Sequence, residues 1–167
     1  MKKIIIILFI LMVTCVFINE KKYILIPNDA IRFRIIPNSN SEFDQQLKID
    51  IKNKIEKNLY GLVENINNID DARNIIKNNL NKIDNILKEY NVKYQINYGN
   101  NYFPEKEYKG IKYNEGNYES LVITLGNGIG DNWWCVLFPP LCLLDNENDL
   151  SDVEYEIYTK KLINKFR

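Results

Sequence analysis

Ile31-Arg32-Phe33-Arg34-Ile35 alternates strictly between apolar and basic residues, and the rest of the predicted fold is arranged around this stretch. Successive side chains of a β-strand point to opposite faces, so the alternation predicts a strand that is buried on one face. Ile31, Phe33 and Ile35 are expected to face the core. Arg32 and Arg34 are expected to lie on a solvated face.

Two amphipathic helices are predicted to follow this strand. Apolar residues recur in each at every third or fourth position, which is the period of a helix with one buried stripe. The first helix follows a Ser39–Glu42 capping box or the alternative Ser41–Asp44 pair, and Asn68 caps the second. The short link between them favours an antiparallel hairpin. The two stripes are formed by Phe43, Leu47, Ile51, Ile55, Leu59 and Leu62, and by Ala72, Ile76, Leu80, Ile83, Leu87 and Tyr90.

The apolar period changes to two after Asn91, which predicts strands in the C-terminal half. Residues 99–117 mix Gly, Pro, Asn and Tyr, and they are interpreted as a loop with a short strand around 108–113. The Gly126–Gly130 run predicts a tight turn. Strands are expected at residues 92–98, 119–125 and 133–138.

The order of these elements defines the fold class. One strand, two helices and three or four further strands predict an α+β fold, with a mostly antiparallel sheet packed against a helical hairpin. Ser151 with Glu154 is a further capping box and predicts a C-terminal helix. The length of 167 residues fits a single domain.

The N-terminus carries the pattern of an export signal. Lys2 and Lys3 precede an apolar run over residues 4–18 that only a threonine interrupts. Such a start is typical of a secretory signal peptide, and the run also approaches the length of a membrane anchor. Residues 1–22 are therefore predicted to be a signal peptide or an N-terminal membrane anchor. Residues 23–167 are predicted to form a single extracytoplasmic domain.

The composition excludes several classes of function. The sequence contains no histidine, which removes the imidazole base of Ser-His-Asp and Cys-His catalysis and the commonest ligand of catalytic zinc. Basic and acidic residues each total 22, so no excess of positive charge points to nucleic acid. Catalysis by a pair of carboxylates, as in glycosidases, is not excluded by composition. We expect no cofactor, no metal site and no nucleic-acid partner.

Residues 132–142 are the most unusual part of the sequence, because both tryptophans and two of the three cysteines lie there. Trp133 and Trp134 are adjacent in a predicted strand and must point to opposite faces. One of them can therefore belong to the core while the other reaches the surface. Core packing of both is the alternative.

Cys135 and Cys142 are candidates for a disulfide, which an oxidising compartment permits. A bridge needs Cα atoms within about 7 Å, so the chain has to reverse between them. Pro139-Pro140 is where that reversal is expected. Two buried free thiols are the alternative.

Two blocks of the sequence resemble the stage II sporulation protein R family of endospore-forming bacteria. The first block is residues 31–48, with the alternating arginine strand, the Asn-Ser turn and the start of the first helix, and the second is residues 132–142. Tyr118-Glu119-Ser120-Leu121 and the Gly-rich turn after it also fit. The resemblance extends over about residues 27–145. Pro37 departs from the small residue that the family more often has.

This resemblance implies a signalling role and no catalysis. It implies export to the space between the forespore and mother-cell membranes, and activation there of a membrane-embedded aspartic protease of the mother cell. That protease then processes the sigma-E precursor, so the catalytic aspartates belong to the partner. The residues expected to contact the protease are Arg32, Arg34, Asn38, Ser39, Asn40, Asp44, Gln45, Trp133, Trp134, Phe138, Pro139 and Pro140.

Two other functions remain open at this point. A cell-wall hydrolase would need a converging carboxylate pair, such as Glu119 with Asp131 or Asp145. An envelope carbohydrate-binding or structural module would use Trp133 or Trp134 as a stacking platform. The contact residues also have structural interpretations, as helix caps and as a solvated strand face.

Overall fold

The computed structural model describes residues 24–25, 29–63, 66, 68–108 and 111–140. Within these ranges, no helix is long and apolar enough to cross a membrane. The elements are, in chain order, β1 (Ile24–Leu25), β2 (Ile31–Ile36), α1 (Glu42–Val63), α2 (Ile69–Lys88), β3 (Tyr94–Phe103), β4 (Lys106–Tyr108), β5 (Ile111–Tyr113), β6 (Gly116–Leu125) and β7 (Trp133–Phe138).

The central sheet has the strand order β3-β6-β2-β7. β3 is antiparallel to β6 and β7 is antiparallel to β2, whereas β2 and β6 form a parallel pair at the centre. A parallel pair needs a long crossover, and here the two helices and β3 supply it. The predicted α+β fold with a mostly antiparallel sheet is therefore confirmed, with one parallel pair in the middle.

The two helices cover one face of this sheet. The predicted stripe residues of their central turns are buried there, and the helix-facing residues of β2, β6 and β7 complete the core. Phe43 and Leu62, which were expected in the stripe of α1, are 73% and 37% exposed, so this stripe is buried only in its central turns. The core residues include Phe33, Ile35, Ile51, Ile55, Leu59, Ala72, Ile76, Ile83, Leu87, Leu121, Ile123 and Leu137.

A second sheet, with the order β1-β5-β4, lies against the other face of the central sheet. The Lys106 Nζ lies 5.0 Å from the centroid of the Trp134 ring, and the Tyr113 ring meets the same indole edge-on at 6.0 Å. Most of residues 99–117 therefore belongs to strands. The short strand expected around residues 108–113 is present as β5 and the end of β4, whereas the interpretation of the rest of this segment as a loop is wrong. Its aromatic residues form part of the interface between the two sheets.

The second sheet also overturns the expectation that Arg32 and Arg34 are solvated. Arg32 is only 1% exposed and Arg34 is half-buried. Their face of β2 points into the interface between the two sheets, so it is covered as the apolar face is. The alternation correctly predicts two different faces of β2, but it does not show that both are covered.

Some predicted features lie outside the described residues. These are the leader at residues 1–22, the C-terminal helix that begins near Ser151, and Cys142. The boundary of the single domain at residues 23–167 likewise stays a prediction.

Two glycines should respond in opposite ways to the same substitution. A Cβ at Gly130 would overlap the backbone carbonyl of Ser39, whereas a Cβ at Gly61, within α1, meets nothing within 4 Å. Gly130→Ala is expected to lower the free energy of unfolding by about 1–3 kcal/mol through overpacking. Gly61→Ala is expected to raise it by about 0.5–1 kcal/mol, because alanine is the better helix former. Urea denaturation measures both, and a Gly130→Ala protein as stable as wild type would contradict the close approach of these two turns.

Candidate functional site

The turn after β2 and the turn before β7 are held together by side-chain amides. The Asn38 Oδ1 accepts a hydrogen bond from the backbone N–H of Asn127 at 3.0 Å. The Asn40 Oδ1 accepts one from the backbone N–H of Asp131 at 2.6 Å. Two chain segments that are far apart in sequence thus form one surface at one end of the central sheet. We call this surface the turn end, and it consists of residues 37–45 and 126–132.

Asp44 is the main acceptor at the start of α1. Its Oδ2 accepts hydrogen bonds from the Ser39 Oγ at 2.5 Å and the Asn38 Nδ2 at 2.9 Å. Its backbone N–H donates to the Ser41 Oγ at 3.2 Å, so the alternative Ser41–Asp44 cap is the one that forms. The hydrogen bonds from Ser39 and then Asn38 hold the pKa of the Asp44 carboxyl below its usual range.

Gln45 and Lys48 join the first turn of α1 to both loops. The Gln45 Nε2 donates to the Ser39 carbonyl at 3.0 Å and to the Asn40 Oδ1 at 3.1 Å. The buried Lys48 donates to the Gln45 Oε1 at 2.5 Å and to the Asp131 carbonyl at 2.9 Å. Burial lowers the pKa of Lys48, and the charge of Asp131 opposes that shift. The turn residues therefore hold one another in place, whatever else they contact.

Trp133 and Trp134 lie on opposite faces of β7, as adjacent strand residues must. Trp133 is half-buried and meets the Phe33 ring edge-on at 5.3 Å on the helix side. Trp134 is buried and meets the Phe103 ring edge-on at 5.1 Å on the side of the second sheet. A pocket of about 110 Å³ opens beside the two indoles, lined by Lys106, Tyr113, Asn132, Trp133 and Trp134.

Arg32 is enclosed by aromatic rings between the two sheets. Its guanidinium carbon lies 3.3 Å from the centroid of the Tyr118 ring and 5.4 Å from that of Phe103. Its Nη1 donates to the Asn114 carbonyl at 3.5 Å, while its buried Nε has no acceptor among the described residues. Burial lowers the pKa of Arg32 and Tyr118 opposes the shift, but a guanidinium stays charged at any physiological pH.

Arg34 lies on the same face of β2, opposite Trp134 in the register with β7. Its guanidinium carbon is 4.6 Å from the Phe103 ring centroid and 6.0 Å from that of Trp134. Burial lowers its pKa. Buried cations are normally paired with a carboxylate, yet no carboxylate in the described part of the chain forms an ion pair with Arg34 or Arg32.

The last three predicted contact residues lie at the other end of β7. Phe138 pairs with Ile31 at the start of β2, whereas Trp133 begins β7 beside the turn end. About five strand steps, or ~17 Å, separate the two positions. Phe138 and Pro139-Pro140 are all buried, and the peptide bond before Pro139 is cis. The structure therefore divides the predicted contact set between the two ends of the central sheet.

Cys135 lies in β7, opposite Phe33 of β2. Its side chain is almost fully buried. Cys142 lies outside the described residues, so the bridge between the two cysteines stays a prediction.

Several residues around the site were not predicted from the sequence. The aromatic content of residues 99–117 was the available signal, but the loop interpretation passed over it. Within the described ranges, no three Cys, Asp or Glu side chains gather as a metal site would need. The residues that sequence reasoning missed are Lys48, Phe103, Lys106, Tyr113 and Tyr118.

The fold and the site together define an α+β protein with a cross-linked pair of turns at one end of its sheet and, beside them, aromatic rings around two arginines that have no carboxylate partner among the described residues. The sequence profile of the family "Stage II sporulation protein R" matches residues 27–148. The chain therefore belongs to this family of sporulation proteins, which confirms the resemblance seen in its two sequence blocks.

One relative is Stage II sporulation protein R of Bacillus subtilis (strain 168), which is 42% identical over 144 residues. The aligned region covers 83% of this chain and 64% of that relative, so the chain spans less than two thirds of the relative's length. No solved structure matches the chain.

The Asp44 carboxylate should make stability depend on pH. Its folded-state pKa lies below the ordinary value near 3.9, so its contribution is fully present above about pH 4 and is lost as the pH falls through the lower folded-state pKa. Asp44→Asn should therefore unfold at lower urea concentration than wild type at pH 7, and the difference should shrink between about pH 4 and pH 2. Asp50→Asn, at an exposed position of α1, is the control. A difference that stays constant over this range would rule out the proposed linkage.

Arg34 should contribute little to stability, because no carboxylate among the described residues is left unpaired when it is removed. We expect Arg34→Met to change the free energy of unfolding by less than about 1 kcal/mol, since methionine replaces the stem and only the contact with the rings is lost. Arg73 is the matched control, because its Nε donates to both carboxylate oxygens of Glu119 at 3.1 and 2.8 Å. Arg73→Met should cost more than about 1 kcal/mol. A larger loss for Arg34→Met than for Arg73→Met would make Arg34 a structural residue.

Proposed function

We propose that this chain is an extracytoplasmic signalling protein of endospore formation. In this proposal it is exported to the space between the forespore and mother-cell membranes and binds a membrane-embedded aspartic protease of the mother cell. The bound protease then processes the sigma-E precursor. Membership of the stage II sporulation protein R family is the observation that carries the proposal.

The turn end has the properties of a docking surface. Phe43 and Ile129 are 73% and 76% exposed, and they belong to the two turns that the asparagine side chains hold together. Large apolar side chains on a rigid surface are typical of binding sites, because little conformational entropy is lost when the partner covers them. This supports a role for the turn end in contacting the protease.

Activation of the protease requires a difference in affinity. A ligand shifts a two-state equilibrium only if it binds the active arrangement more tightly than the inactive one. Moving a protease from 1% to 99% active would need a preference of about 10⁴-fold. A rigid surface suits this task, since it fits one arrangement of the partner and cannot adapt to the other.

The hydrolase alternative fits the geometry less well. Glu119, the carboxylate suggested for it, accepts hydrogen bonds from Arg73 and Tyr98. Burial tends to raise the pKa of Glu119, but these hydrogen bonds and the charge of Arg73 outweigh it, so the net shift is downward. A general acid of a glycosidase needs a raised pKa. Asp131, the second suggested carboxylate, lies instead beside Lys48 and Lys106.

The carbohydrate-binding alternative would need an indole face open to a sugar. The Lys106 Nζ lies over the Trp134 ring, and the Lys52 Nζ lies 5.2 Å from the centroid of the Trp133 ring. Both indoles also carry edge-on aromatic neighbours, as described above. The observed packing therefore favours structural roles for these rings over a stacking platform.

The proposal predicts that the sigma-E precursor accumulates in sporulating cells from which the gene is deleted. A blot for precursor and mature sigma-E measures this, and expression of the full chain should restore processing. Normal processing in the deletion strain would refute the proposed function. We further expect Phe43→Ser with Ile129→Ser to reduce processing at least about fivefold, because burial of each side chain is worth about 1.5–3 kcal/mol.

Tyr102→Ser is the matched control for these two substitutions. Tyr102 is 56% exposed, but it lies on β3, the edge strand furthest from β7. Its replacement should leave processing unchanged. A similar loss from Tyr102→Ser would show that exposed apolar residues act through expression or solubility, and not through the turn end. Circular dichroism of the purified variants checks that the fold is retained.

A further inference from the structure

The interface between the two sheets contains more cations than its described partners can neutralise. Arg32 and Arg34 lie two residues apart on one face of β2, and no described carboxylate forms an ion pair with either. Burial lowers the pKa of both groups, which reflects the cost of keeping a charge away from water. An anion would lower that cost.

Three N–H donors on this side of the central sheet have no acceptor among the described residues. They are the Nε of Arg32, the Nε of Arg34 and the indole Nε1 of Trp134, and each is buried. Trp134 is 7% exposed and lies opposite Arg34 in the strand register. Buried donors in native proteins almost always have partners, so a cluster of three marks a place where an acceptor is missing.

The pocket shares one residue with this cluster, because Trp134 lines it, and Arg34 lies opposite Trp134 in the strand register. Its volume of about 110 Å³ is larger than a single bound water needs. Its walls are mainly aromatic. The Lys106 ammonium lies over the Trp134 ring, and the negative charge of Asp131, in the turn end, acts on Lys106. A planar carboxylate on an aliphatic stem suits such walls. A phosphate is usually held by several backbone N–H groups, which line phosphate loops.

We propose that Arg34 and the Trp134 indole bind a carboxylate side chain of an extended acidic segment of the partner protein. The guanidinium would supply the charge and the indole a directed hydrogen bond, while Phe103 holds the guanidinium in place at 4.6 Å. Arg32, which Tyr118 encloses, adds positive potential from behind. This inference rests on the proposed function only in assigning the acidic segment to the protease.

The test titrates the ¹⁵N-labelled full chain with the blocked peptide acetyl-Gly-Glu-Gly-Asp-Gly-amide. We expect saturable shifts of the Trp134 indole N–H and the Arg34 Nε–H signals, with the Arg73 Nε–H signal, which is bound to Glu119, as internal reference. The same peptide with Gln and Asn should not shift them. Inorganic phosphate is titrated separately, and tighter binding of phosphate than of the acidic peptide would overturn the proposal.

Two substitutions at Arg34 separate binding from folding. Arg34→Gln should weaken binding of the acidic peptide at least about tenfold, because a charge-assisted bidentate contact is lost. Arg34→Lys keeps the charge without the planar fork, and it should give intermediate affinity. Lys57→Gln, at an exposed position of α1, removes one positive charge elsewhere and should leave the affinity unchanged.

The outcomes bear on the two proposals separately. Equal losses from Lys57→Gln and Arg34→Gln, or no saturable shift with wild type, would reject the carboxylate site. Neither result affects the processing experiment, which needs no assumption about the peptide. Conversely, the chain could bind the acidic peptide through Arg34 and yet have no effect on sigma-E processing. That result would support the carboxylate site and reject the protease as its partner.

Discussion

The guanidinium of Arg32, 3.3 Å from the centroid of the Tyr118 ring, lies where the two sheets meet. A desolvated contact of this kind contributes up to about 2 kcal/mol. It joins neighbouring strands of the central sheet, since Arg32 lies on β2 and Tyr118 on β6, while Tyr113 of the second sheet approaches the same guanidinium at 5.6 Å. Phe103 and Tyr113 pack around the same group, so residues that follow β3 are brought back over β2. Because the second sheet covers this face of β2, Arg34 and Trp134 lie in the same interface between the sheets.

The parts of the fold that depend on local pattern could be predicted from the sequence. The stripes of α1 and α2, the Asn68 cap, the strand at β2 and the turn around Gly126–Gly130 all arise from interactions between residues near in sequence. The second sheet could not be predicted in this way. Its strands have two or three residues each, too few to show a period, and their partners are distant. Without that sheet, the arginine face appeared to be solvated.

The candidate site shows the same limit. Asn38, Ser39 and Asp44 were singled out correctly as residues of one turn, because capping patterns are local. The attachment of this turn to Asn127 and Asp131, through Asn38 and Asn40, spans about ninety residues, and no local rule contains it. The sequence also grouped Trp133 with Phe138, although a strand of six residues carries the two to opposite ends of the sheet.

Two guanidinium groups with no carboxylate partner among the described residues are a poor choice if stability is the only demand on this interface. Apolar residues of similar length would bury comparable area and leave no donor unpaired. Such an arrangement is understandable if the donors bind a partner. They are already desolvated before the partner binds, so binding does not have to supply that free energy. It also provides selectivity, since a neutral side chain would leave the donors unpaired and a basic one would be repelled. A surface with these properties discriminates between two arrangements of a partner by whether a carboxylate is presented to it, which is the kind of difference in affinity that a signal requires.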